Sequence, residues 1–113
     1  MQIRFTFKNF EPSDHLKKYA DSRFRKLSKY VKERENPELQ VNLSVDKFRH
    51  KAELVLTGKD LHLTANETSE DMYSTVDMVL DKIEAQVRKA REKSKNRGKG
   101  PKGARSDKSV RMD

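Results

Sequence analysis

Residues 69–93, SEDMYSTVDMVLDKIEAQVRKAREK, constrain the fold of this chain more than any other stretch. Met72, Val76, Val79, Leu80, Ile83, Val87 and Ala90 recur largely at spacings of three and four, which makes one face of an amphipathic helix. Thr68 or Ser69 is expected to cap its start by accepting a bond from a free backbone N–H. Glu70 and Asp71 then place negative charge at the positive end of the helix dipole. From Lys82 onward the sign changes, because Lys82, Arg88, Lys89, Arg91 and Lys93 outnumber Glu84 and Glu92. At about 100° per residue, Lys82, Lys89 and Lys93 fall on one flank of the apolar stripe. Such a helix grips a core with one face and offers a cationic ridge beside it.

The rest of the chain supplies the surface for that face. Ile3, Phe5 and Phe7 alternate with Gln2, Arg4, Thr6 and Lys8, as in a strand with one buried side. Pro12 breaks the strand, and Ser13 or Asp14 can cap a first helix. Its stripe runs through Leu16, Tyr19, Ala20, Phe24, Leu27, Tyr30 and Val31 and stops before Asn36-Pro37, because proline disfavours a helical residue before it. Alternation then predicts three further strands, marked by Leu39, Val41, Leu43 and Val45, by Ala52, Leu54 and Leu56, and by Leu61, Leu63 and Ala65. Thr57-Gly58-Lys59-Asp60 reads as a hairpin turn, and residues 46–51 as a longer charged connection. The fold class is therefore α+β: β-α-β-β-β-α, a four-stranded sheet with both helices packed on its apolar face.

At 113 residues there is room for one core. The hydrophobic fraction of 33% is low and the charged fraction of 39% high, so part of the chain is expected not to pack. That part is residues 95–113, with three of the four glycines and seven basic residues against Asp107 and Asp113. It carries five of the eight net positive charges and too few apolar groups to offset ordering entropy. The domain division is thus an ordered unit at 1–94 and a disordered basic tail at 95–113.

A net charge of +8 favours an anionic partner. Cysteine is absent, which excludes disulfides, thiolate metal sites and cysteine nucleophiles. No apolar run approaches the roughly 20 residues of a membrane span, and the N-terminus lacks a signal-peptide core. The plain reading is a soluble cytoplasmic protein with no membrane partner. His15, His50 and His62 have no metal-ligand spacing, and Gly98, Gly100 and Gly103 do not make a phosphate loop. No catalytic motif is present, so the expectation is a non-enzyme with no catalytic residues, metal, cofactor or small-molecule substrate.

The positive signal lies in the basic residues. Arg23, Lys26 and Lys29 run at i, i+3, i+6 down one flank of the first helix, and Lys82, Lys89 and Lys93 make a flank of the second. With the helices side by side, the two rows are expected to face one shared groove suited to a phosphodiester backbone. Asp71, Asp77 and Asp81 read as solvated carboxylates, and Tyr19, Tyr30 and Tyr73 as core or core-edge residues. The solvent face of the sheet (Gln40, Asn42, Ser44, Glu53, Val55) lacks aromatics, which favours backbone and shape recognition over base stacking on the sheet.

Three segments carry a family resemblance: MQIRFTFKN at the start, SRFRKLSKY at 22–30 and EDMYSTVDMVLDKIEAQVRKAREK at 70–93. The chain resembles the ribosome hibernation promoting factors, the family of the ribosome-associated inhibitor protein, over residues 1–93. The most specific part is Asp71-Met72-Tyr73 followed by Asp77, Asp81-Lys82-Ile83 and Gln86. The resemblance implies a fold similar to double-stranded RNA-binding domains and binding in the decoding channel of the small ribosomal subunit. There it would cover the mRNA and tRNA sites and inactivate translation. It also implies rRNA contacts at Arg23, Lys26, Lys29, Lys82, Lys89, Arg91 and Lys93. The family often has arginine where this chain has Ala85, and Arg88, one turn along, is the candidate replacement. Long-form members add a C-terminal dimerisation domain. Short forms act with a separate ribosome modulation factor to pair ribosomes, or hold single ribosomes inactive. Two other readings fit the charge: a general double-stranded RNA-binding module, and a basic adaptor for an acidic protein.

Overall fold

The computed structural model describes residues 1–97, with side chains described through Glu92. Its elements are β1 (Gln2–Lys8), α1 (Asp14–Phe24), β2 (Glu38–Asp46), β3 (Arg49–Gly58), β4 (Leu61–Ser69) and α2 (Met72–Arg97). The sheet order is β1-β2-β3-β4, with β1 parallel to β2 and the other neighbours antiparallel. This is the expected β-α-β-β-β-α arrangement. Helix α2 continues to Arg97. The remainder of the expected tail, 98–113, lies outside the described residues.

Strand alternation converts directly into a one-sided sheet. The register aligns Ile3, Leu39, Leu56 and Leu63 in one row across the four strands, and Phe5, Val41, Leu54 and Ala65 in the next. Leu39, Val41, Leu43, Leu54 and Leu56 are fully buried against Phe24 and Leu27 from the first helical region and Val76, Val79, Ile83 and Val87 from α2. Each such side chain contributes about 1.5–3 kcal/mol by leaving water. The other sheet face is polar and carries surface ion pairs such as Arg4–Glu38 at 2.7 Å.

The first helix differs from its expected length. It is α-helical only to Phe24, where a 3₁₀ segment (Arg25–Tyr30) takes over, and a second short 3₁₀ segment covers Glu33–Glu35. Ser28 Oγ donates to the Arg25 carbonyl at 2.7 Å, a local bond that competes with continued α-helix. At three residues per turn Leu27 and Tyr30 still share an edge, so the apolar spacing fits either helix type. Asn36, in the left-handed region at φ 52°, ends the second segment before Pro37.

Two local expectations are also corrected. The β2–β3 connection is a tight two-residue turn, Lys47-Phe48, because the strands extend through Asp46 and from Arg49. The α2 cap is Asp71, whose Oδ2 accepts from the Ser74 N–H at 2.9 Å, and not Thr68 or Ser69. Those two residues are committed to β4, and Ser69 Oγ instead accepts from the Asp71 N–H at 3.2 Å. Lys59-Asp60 forms the expected β3–β4 turn, with Asp60 at φ 60°.

Candidate nucleic-acid interface

Helix α2 lies on β3 and β4 with α1 beside it, so its two flanks meet different surroundings. The first flank faces α1 and the 3₁₀ segment. There the Tyr19 hydroxyl donates to the Asp77 carboxylate at 2.9–3.0 Å, and the Tyr30 hydroxyl donates to Glu84 at 2.8 Å. Arg23 Nε sits 3.4 Å from Asp77, with its guanidinium 4.8 Å from the Tyr19 ring centroid. Lys29 Nζ is 4.0 Å from Glu84 and lies over the Tyr30 ring. Farther along, Arg91 Nε donates to the Tyr30 carbonyl at 2.9 Å and Nη2 donates to Glu35 at 3.0 Å.

The second flank faces the free edge of the sheet. Lys82 Nζ donates to the Asn66 carbonyl at 3.2 Å and pairs with Glu67 at 3.4 Å, while Gln86 Nε2 donates to the Thr64 carbonyl at 2.9 Å. These side chains occupy carbonyls of β4, an edge strand that would otherwise present them to another chain.

The expected shared groove is therefore not formed. Lys82 lies across α2 from Arg23 and Lys29, and the seam between the helices is lined by two tyrosines and two carboxylates. By helical pitch Lys89 repeats the direction of Lys82 seven residues on, whereas Arg88 follows Glu84 and precedes Arg91 on the flank facing the 3₁₀ segment. Lys93 belongs to the backbone of α2, and its side chain is outside the described residues. The basic surface is a convex ridge with cations down both sides of α2.

Pairing sorts the seven candidate cations whose side chains are described. Arg91 ties α2 to the chain before β2, Arg23 is engaged by Asp77, and Lys82 serves the β4 edge. The Tyr19 hydroxyl, then the Asp77 carboxylate, raise the Arg23 pKa above its ordinary value. Glu35 is held below the usual carboxylate range, first by the Lys32 backbone N–H and then by Arg91, against partial desolvation. Lys26, Arg88 and Lys89 are exposed and have no acid within ion-pair distance among the described residues. Lys29 is 65% exposed and only loosely paired. Those four can meet phosphate without giving up a strong bond in the fold. In the 3₁₀ segment Lys26 and Lys29 are eclipsed, which aligns them more closely than an α-helix would.

Three features escaped sequence reasoning. Asp77 is a partner of Tyr19 and Arg23, not a merely solvated carboxylate. Asp71 is a cap, as described above. Thr75 is fully buried, with Oγ1 at 2.8 Å from the Asp71 carbonyl, 3.1 Å from the His50 carbonyl and 2.6 Å from Ser69 Oγ. Its position on the wheel, at the margin of the apolar stripe, was the available signal. Tyr19, Tyr30 and Tyr73 are half-buried at the core edge, as expected. Among the described residues no group of His, Cys, Asp or Glu side chains could hold a metal, and no helix is long and apolar enough to cross a membrane.

This architecture defines a class: a small α+β domain with a one-sided mixed sheet and a basic helical layer. Solved structures share the fold, among them the following two. A ribosomal subunit interface protein from Coxiella burnetii superposes with a TM-score of 0.70 at 20% identity, covering 81% of this chain and 99% of that one. The N-terminal domain of Protein Y from Thermus thermophilus gives 0.69 at 22% identity, covering 80% and 99%. The chain belongs to the Sigma 54 modulation protein / S30EA ribosomal protein family, whose model matches residues 3–95. Among its relatives, the ribosome hibernation promotion factor of Lactococcus lactis is 38% identical over 90 residues, 77% of this chain and 49% of that protein. The ribosome hibernation promoting factor of Escherichia coli is 32% identical over 97 residues, 84% of this chain and 98% of that protein. This chain thus spans about half the length of the first relative and nearly all of the second.

Proposed function

We propose that this protein is a ribosome hibernation factor of the cytoplasm that binds the small ribosomal subunit in the decoding channel. It blocks the mRNA and tRNA sites by occupancy and performs no chemistry. The observation that carries the reading is the set of exposed cations Lys26, Lys29, Arg88 and Lys89, available to rRNA phosphates because the fold does not use them strongly. Relatives bearing the hibernation-factor name support it. Phosphate contacts fix position without reading sequence, which suits a protein that must recognise one shaped channel.

In cells, the family resemblance leaves two outcomes open, of which the first is ribosome pairing with a separate modulation factor. Sucrose-gradient profiles of stationary-phase cells with and without the gene distinguish that outcome from silenced single ribosomes. In vitro, purified protein should cosediment with small subunits, and an mRNA occupying the channel should displace it. Displacement by free duplex RNA at equal salt would instead favour a general double-stranded RNA-binding module. Binding that survives nuclease removal of rRNA would favour an adaptor for an acidic protein.

A further inference from the structure

The β2–β3 turn carries an aromatic that the core does not use. Phe48 is 66% exposed, more than any other large hydrophobic among the described residues, and its ring has no aromatic or cationic partner there. It stands in the run Lys47-Phe48-Arg49-His50-Lys51, with three permanent positive charges within three residues of it. Lys47 and Arg49 have no acid within ion-pair distance among the described residues, and Lys51 is only loosely paired with Glu53 at 3.6 Å. Lys47 also holds the left-handed region at φ 60°, where glycine would be unstrained, so this turn keeps a lysine at a backbone cost. An exposed apolar ring beside unpaired cations matches an unstacked nucleotide, which offers a flat base next to a phosphate.

We propose that the β2–β3 hairpin is a second RNA contact, in which Phe48 stacks on an unpaired base while Lys47 and Arg49 hold the adjoining phosphates. This rests on the rRNA-binding reading above and adds a finger at a distance from the α2 ridge. From His50 paired with Ser69, the tip lies about five strand residues, or roughly 16 Å, from Asn66, and Lys89 lies about 10 Å farther along α2 than Lys82, the side chain bonded to Asn66. Two anchors that far apart set orientation on a surface, which a single convex ridge cannot do.

The chain contains no tryptophan, so Phe48→Trp installs a sole indole reporter. With purified small subunits, Phe48→Trp should retain wild-type affinity and show strong emission quenching on binding. Phe48→Ala and Phe48→Leu should each weaken affinity about tenfold, the scale of one base–aromatic stack, with melting temperature unchanged. Wild-type affinity of Phe48→Ala would overturn the contact. Wild-type affinity of Phe48→Leu with unquenched Phe48→Trp would overturn it too, indicating an apolar protein pocket. In parallel, Lys26, Arg88 and Lys89 are reversed to glutamate. If that variant loses binding while Phe48→Ala does not, the hairpin contact alone fails. If wild-type protein does not bind subunits, both readings fail together.

Discussion

Arg88 and Arg91 stand three residues apart on one flank of α2 and do different work. Arg91 donates to the Tyr30 carbonyl and to Glu35, bonds that tie α2 to the chain before β2. Arg91→Ala removes both and should cost about 1–3 kcal/mol, read as a fall in chemical-denaturation free energy. Arg88→Glu touches no partner among the described residues and should leave stability within about 0.5 kcal/mol while weakening RNA binding. Glu35 adds a pH signature. Its folded pKa is depressed, so the stability it contributes is present above its unfolded pKa and is lost as pH falls through the folded value. The melting-temperature gap between wild type and Glu35→Gln should be open at neutral pH and close in acid. A gap that widens in acid would contradict the assignment. None of this sorting was legible in the sequence, where all eight cations look alike. What separates them is which carbonyl or carboxylate the fold brings near.

At the scale of elements, α2 was readable because its stripe of Met72, Val76, Val79, Ile83 and Val87 is long enough to exclude other periods. Its cap was not, since Thr68, Ser69 and Asp71 are all good capping residues and only the end of β4 decides among them. The extent of α1 was hidden for a related reason: Phe24, Leu27 and Tyr30 follow a period of three, which 3₁₀ and α-helix share over two turns. Thr75 joins β4, β3 and α2 through one hydroxyl. Thr75→Val keeps the volume and leaves a part-buried carbonyl, that of His50 or Asp71, short of a donor, so unfolding titrations should show a loss of about 1–3 kcal/mol. Asp71→Ala, which deletes the cap, should cost about 1 kcal/mol in the same measurement.

For the whole molecule, topology followed from alternation and turn residues, because a one-residue shift in any strand would carry its leucines to the solvent face. The shared groove did not follow. A helical wheel shows that α2 has two flanks but not which one meets α1; that depends on α2 lying over β3 and β4, with one flank toward the β4 edge. The proposed RNA-binding surface is consequently a ridge, and its four available cations contribute about −3 to −4 to the slope of log K against log salt, about one for each cation, with Lys47 and Arg49 of the hairpin adding roughly −2. Filter-binding or cosedimentation across a salt series checks this. The helical layer's part in binding is tested by the affinity for small ribosomal subunits of the protein with Lys26, Arg88 and Lys89 all changed to glutamate. At fixed salt it should fall by more than about a hundredfold, given three lost contacts and three repulsive charges, while the melting temperature holds. Wild-type cosedimentation by that folded variant would contradict the claim that the helical layer's unpaired cations hold the RNA.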